Sequence, residues 1–153
     1  MVIGLDPPPA GYFPPGRGRP VLFVIPPPVA GVDFSATLPA GSAWRILGGS
    51  AQLVTSATVA TRQVYLRLLQ GTTEIWRGPS PNTQVASLTY VYQLMPGIVV
   101  PTLVGTFPVV PWPVDCYADP RFSFASATTS IQATDQWSAI TLLLEQLKPA
   151  PPE

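Results

Sequence analysis

From residue 43 onward, apolar and polar positions alternate in short runs that Gly, Pro, Asn and Asp interrupt, the texture of a protein built from β-strands. Trp44 to Thr55 is the first such run, and the adjacent Gly48 and Gly49 in its middle predict a bulge or sharp bend. Arg62 to Leu69 alternates cleanly, with Val64, Leu66 and Leu68 on one face and Gln63, Tyr65 and Arg67 on the other. Gln70 to Thr72 then supplies a turn into Thr73 to Arg77, which predicts a hairpin. Gln84 to Leu94 places Ala86, Leu88, Tyr90, Tyr92 and Leu94 on a single face of a strand. Met95 to Gly105 reads as a loop, Phe107 to Pro111 as a strand near an edge because of its prolines, and Arg121 to Thr128 as a further strand.

Gln136 to Leu147 fits two patterns. Ile140, Leu143, Leu144 and Leu147 have helical spacing behind Asp135 as a cap, whereas Trp137, Ile140 and Thr141 are strand formers, and strand is the preferred reading. Seven or eight strands without a crossover helix predict an all-β, antiparallel β-sandwich, jelly-roll-like or of a related Greek-key kind, with immunoglobulin-like topology as the alternative.

Residues 1–41 have another character. Ten of the 21 prolines and six of the 12 glycines fall there. Proline removes backbone donors and favours extended polyproline II, so this stretch predicts an extended N-terminal arm or, alternatively, a disordered leader. The expected division is an arm over 1–41, a β-sandwich over 42–148 and a short proline-rich tail over 149–153. Val21, Leu22, Phe23, Val24 and Ile25 are the arm's one stretch of β character, and Phe34 adds apolar surface. These residues are the candidate assembly contacts, expected to dock on another chain. Removal of 1–41 is then expected to leave a folded domain that no longer assembles.

Charge sharpens the picture. Only 10% of residues are charged, against roughly 25% in ordinary soluble domains, and Lys148 is the sole lysine. Interfaces are depleted in Lys and Glu and keep Arg and aromatics, so the bias points to surface that becomes covered. Eight basic residues balance eight acidic ones, which offers no field for nucleic acid. No apolar run reaches the roughly 18–20 residues of a membrane span. Val21 to Ile25 follows two arginines but is closed by Pro26, Pro27 and Pro28, so a signal peptide is not indicated. Cys116 is the single cysteine, which excludes an intrachain disulfide and reads as a small buried hydrophobe.

The chain has no histidine, which removes Ser-His-Asp and Cys-His chemistry and the commonest metal ligand. Asp115 with Asp119, and Asp135 with Glu145, are the carboxylate pairs to weigh for glycoside hydrolysis, and the first pair also for calcium. Both read more simply as turn and strand-end residues, so no catalytic, metal or cofactor site is expected. The glycines at 16 and 18 lack the flanking strand and helix of a phosphate loop. Of the four tryptophans, Trp44 and Trp137 read as buried anchors, while Trp76 and Trp112, beside prolines, are the candidates for exposed recognition of protein or glycan.

The strings AWRILGGSAQLVTSATVATRQVYLRLLQG, QVASLTYVY and DQWSAITLLLEQL resemble a recurring pattern in small β-sandwich virion proteins of tailed bacteriophages, over residues 43–147. LVTSATVATR and DQWSAI carry the likeness best, and the proline-rich arm is not part of it. The resemblance implies a non-enzymatic capsid decoration, cement or minor head protein on the capsid exterior, assembled in the host cytoplasm. Its implied partners are copies of itself, as a trimer by preference, and the major capsid protein. A receptor- or carbohydrate-binding module of a fibre or tail is the alternative.

Overall fold

The computed structural model describes residues 18–147, which form eleven β-strands in two sheets and no helix. The strands are β1 Arg19–Ile25, β2 Ser35–Thr37, β3 Trp44–Val54, β4 Val64–Gln70, β5 Thr73–Pro79 and β6 Thr89–Pro96. They continue with β7 Thr102–Val104, β8 Phe107–Trp112, β9 Tyr117–Ala118, β10 Phe122–Thr128 and β11 Gln136–Gln146. The larger sheet runs β1-β11-β3-β6-β8-β7 with β9 also on β3, and the smaller runs β2-β10-β4-β5. Every ladder is antiparallel except that of β6 with β8, whose register joins Gln93 to Val109 and Pro96 to Trp112.

Period-2 alternation decides what lies between the sheets. Val64, Leu66 and Leu68 of β4 point inward and are buried, as are Tyr92 and Leu94 of β6. The inner residues of β11 are Trp137, Ile140, Leu142 and Leu144, so the segment read either way is a strand, over Gln136–Gln146. Phe34 sits at the centre, 5.3 Å from Phe124 and 5.2 Å edge-on from Trp137.

The long β3–β11 ladder carries two bulges. The registers Ser138↔Gln52 and Thr141↔Ser50 leave one extra residue on β11, and Ala139 takes it up with a φ of 46°. The registers Leu143↔Gly48 and Leu144↔Ile46 leave one extra on β3, Leu47, beside the glycine pair where the sequence predicts a bend. One added residue on each strand restores the register and sharpens the local twist.

Two expectations need correction. The boundary between arm and sandwich does not lie at 41/42, because β1 pairs along its whole length with β11, from Arg19↔Gln146 to Ile25↔Ile140. Ile25, Phe34 and Leu38 are core residues, and Asp33 accepts bonds from the Ser126 and Thr128 hydroxyls at 2.6 and 2.7 Å. The prolines do not prevent this: Pro20 lies on an edge strand, where a missing donor is tolerated, and Pro26 to Pro28 follow the strand. Residues 1–17 of the expected arm, and the tail over 149–153, lie outside the described residues. The second correction concerns Met95 to Gly105, which contains β7, and β8, which is flanked by β6 and β7 and is not an edge.

A buried ion pair ties the two sheets together at one end. Arg62 donates from Nε and Nη2 to the two oxygens of Asp135, both at 2.9 Å, and neither side chain is exposed. The Ser56 and Gln132 N–H groups donate to the same carboxylate at 2.8 Å. Burial alone pushes the Asp135 carboxyl up, but these donors outweigh it and hold it below the usual carboxylate range.

Candidate interaction surface

Twelve charged residues lie among those described, and ten of them form ion pairs with one another. Their placement is uneven. On the outer face of the smaller sheet, Glu74 accepts from Arg77 at 2.7 Å and from Arg67 at 3.5 Å, and the Arg77 guanidinium stacks on Tyr65, 4.9 Å from the ring centre. The bond from Arg77 holds the Glu74 carboxyl below its ordinary range.

The outer face of the larger sheet keeps its charge at one end, where Arg45 of β3 pairs with Glu145 of β11, and is otherwise built differently. Alternation divides the candidate assembly segment: Val21 and Phe23 pack against the core and Ile25 is buried, whereas Leu22 and Val24 face outward, 63% and 62% exposed. Leu22 stands opposite Leu143 of β11, and Val24 opposite Thr141. Thr141 in turn opposes Ser50 of β3, and Ser50 opposes Gln93 of β6. Gly48, opposite Leu143, puts no side chain into this surface, and a groove of about 490 Å³ opens there, walled by Leu22, Leu47, Leu143 and Met95. No charged residue lines it.

Of the candidate contacts, then, Leu22 and Val24 are surface residues, while Ile25 and Phe34 are core. Their partners in the patch, Leu143 and Met95, are not among the contacts to which the sequence points. The usable signal was the run Leu142 to Leu144, apolar at three successive positions, which in a half-buried strand puts an apolar side chain on both faces.

The two exposed-recognition candidates separate. Trp112 is only 2% exposed, with its ring 6.0 Å edge-on from Phe124, so it is a core residue. Its neighbours Pro111 and Pro113 suggest a loop, yet β8 admits Pro111 within a strand. Trp76 is 38% exposed on β5 and walls a second apolar groove of about 490 Å³ with Pro79, Val99, Pro111, Pro113 and Val114. The groove forms because Gly78 lets β5 press on β8: a Cβ there would lie 2.7 Å from the Pro111 carbonyl oxygen. The segment from 78 to 114 that borders it contains no charged residue.

Each candidate carboxylate is engaged by an arginine, and Arg45 draws two of them, Asp115 and Glu145, to one guanidinium. Asp115 pairs with Arg45 at 3.3 Å, Asp119 with Arg121 at 2.6 Å, and Glu145 with Arg45 at 3.4 Å, while Asp135 is held by Arg62. Asp135 immediately precedes β11 and Glu145 lies near the strand's far end, ten residues on and about 30 Å away at the usual rise. Among the described residues, no cluster of three acidic or thiol side chains is placed to hold a metal ion. Cys116 is half-buried, and burial pushes its thiol up. No family model, curated protein or solved structure matches the chain.

Proposed function

We propose that this chain is a non-enzymatic virion structural subunit of the capsid-decoration, cement or minor head kind, joining copies of itself and a major capsid protein on the capsid exterior. The observation that carries the reading is the uncharged apolar patch around Leu22, Val24, Leu143 and Met95, at the centre of a face whose charge is confined to the Arg45–Glu145 end, on a sandwich whose opposite face is laced with charge. Exposed apolar patches of this kind are contact surfaces.

The strand arrangement supports the jelly-roll-like form of the fold. With β7 to β9 set aside as an excursion, the sheets read β1-β11-β3-β6 and β2-β10-β4-β5. β1 and β2 are then matching edges, β11 and β10 the second positions, β3 and β4 the third, and β6 and β5 the fourth. That is one long hairpin rolled across two sheets, an architecture used by viral capsid and lectin domains. Together with the resemblance over residues 43–147, it favours the virion reading.

The test is the solution mass of the whole chain by light scattering, beside its co-sedimentation with phage heads assembled without it. A discrete oligomer, a trimer by preference, and saturable binding to heads are expected. Leu22→Asp with Leu143→Asp is expected to abolish both. Retention of both by a folded double variant would refute the assignment of this face.

One observation favours a second reading, a glycan-binding module: Trp76 offers a partly exposed indole beside a groove. On that reading Trp76→Ala removes glycan binding and leaves head binding intact.

A further inference from the structure

We propose that the Trp76 groove is filled by the chain's own N-terminal segment, residues 7–13 with the sequence PPPAGYF, with residues 14–17 as its tether. These residues lie outside the described ones; the groove, the length of the tether and the chemistry of the walls point to them. The described chain starts at Gly18, whose N–H donates to the Glu145 carboxylate at 2.8 Å. Glu145 pairs with Arg45 at 3.4 Å, and Arg45 with Asp115 at 3.3 Å. Val114, the next residue back along the chain, is a wall of the groove.

Gly18 therefore leaves the fold at the same end as the groove. The way across runs from β1 over β11 and β3 to β9, three strand spacings or about 14 Å, and Val114 lies three residues before β9, up to about 10 Å further. At about 3.1 Å per residue counted back from Gly18, residues 13 to 7 come within reach of about 16 to 34 Å, which covers that gap. The tether also raises the local concentration of the segment to the millimolar range, where a weak docking site fills.

The walls suit that occupant. Extended proline-rich segments dock in grooves lined by aromatic side chains, because the ligand arrives already ordered. Trp76 provides the aromatic face, with Pro79, Pro111, Pro113, Val99 and Val114 around it. Residues 7–13 carry no charge, and Arg77, the one charged lining residue, is already bound by Glu74. This inference holds or fails apart from the virion reading, since it is tested on the isolated chain.

The test is acrylamide quenching of tryptophan fluorescence in the full chain, beside a full-length variant whose residues 7–13 are replaced by Gly and Ser. Trp44, Trp112 and Trp137 are at most 4% exposed, so quenching reports Trp76. Undocking is expected to raise the quenching constant about twofold, and the difference is expected to vanish when both chains carry Trp76→Phe. Equal quenching of the two chains would overturn the proposal. So would shielding that appears only as protein concentration rises from about 1 to about 100 µM, which would place a neighbouring copy's segment in the groove.

Discussion

The two outer faces of the sandwich come from strands with the same alternation, yet they differ in what the outward positions carry. On the smaller sheet, Tyr65, Arg67, Glu74 and Arg77 form a hydrated ionic and cation–π network. On the larger sheet, the central outward positions are Leu22, Val24, Thr141, Leu143, Ser50 and Gln93, and charge is confined to one end, where Arg45 of β3 pairs with Glu145 of β11. A strand pattern fixes which side chains point inward, but the inward set is blind to what the outward set is for. The difference between the faces is thus a statement about partners, and substitutions separate it from stability.

The largest effect is expected where the two sheets are tied together. Asp135→Asn leaves the Arg62 guanidinium buried without its counter-charge, and urea unfolding should show a loss of about 3–5 kcal/mol. The pH dependence has a definite sign. Because the folded-state pKa of Asp135 is depressed, its contribution is present above the unfolded value of about 3.9 and is lost as pH falls through the folded value. Native stability should therefore fall below about pH 4, and the Asn variant should lose that part of the slope.

Neighbouring leucines of β11 give the next test, and the sharpest one for the comparison. Leu142 is fully buried and Leu143 is 41% exposed. Leu142→Ala should cost about 2–5 kcal/mol in unfolding, as core truncations do. Leu143→Ala should change unfolding by about 0.5 kcal/mol or less while weakening self-association and head binding. If both cost the same in stability and neither touches association, the outer face of the larger sheet is not a contact surface.

Much of this division was legible in the sequence. The strands over residues 43–147 announce themselves through period 2, and a turn or bulge residue marks most of their ends. Gln84 to Leu94 was legible only in part: Ser87 takes a φ of 57°, so regular pairing starts at Thr89. Strand β1 was legible as a strand but not as a member of the sheet, because its partner β11 lies more than a hundred residues away and the intervening prolines mimic a free arm. The Arg62–Asp135 pair was illegible for the same reason, its partners being 73 residues apart. Local pattern reports local geometry, and non-local pairing is decided by the whole core.

The smallest expected effect lies on the charged face, and it is the control for the others. Glu74 is held below its ordinary range by its bond to Arg77, with Arg67 adding a weaker one. Arg77→Gln should therefore raise the Glu74 titration midpoint toward its ordinary value, followed by the carboxyl carbon shift in nuclear magnetic resonance. The effect should shrink as salt is added, because exposed charges are screened within about 8–10 Å at moderate ionic strength. Self-association and head binding should stay unchanged in this variant, since the face it alters is the one that water already satisfies. A loss of assembly on Arg77→Gln would reverse the assignment of the two faces and make the charged network, not the apolar groove, the surface that meets a partner.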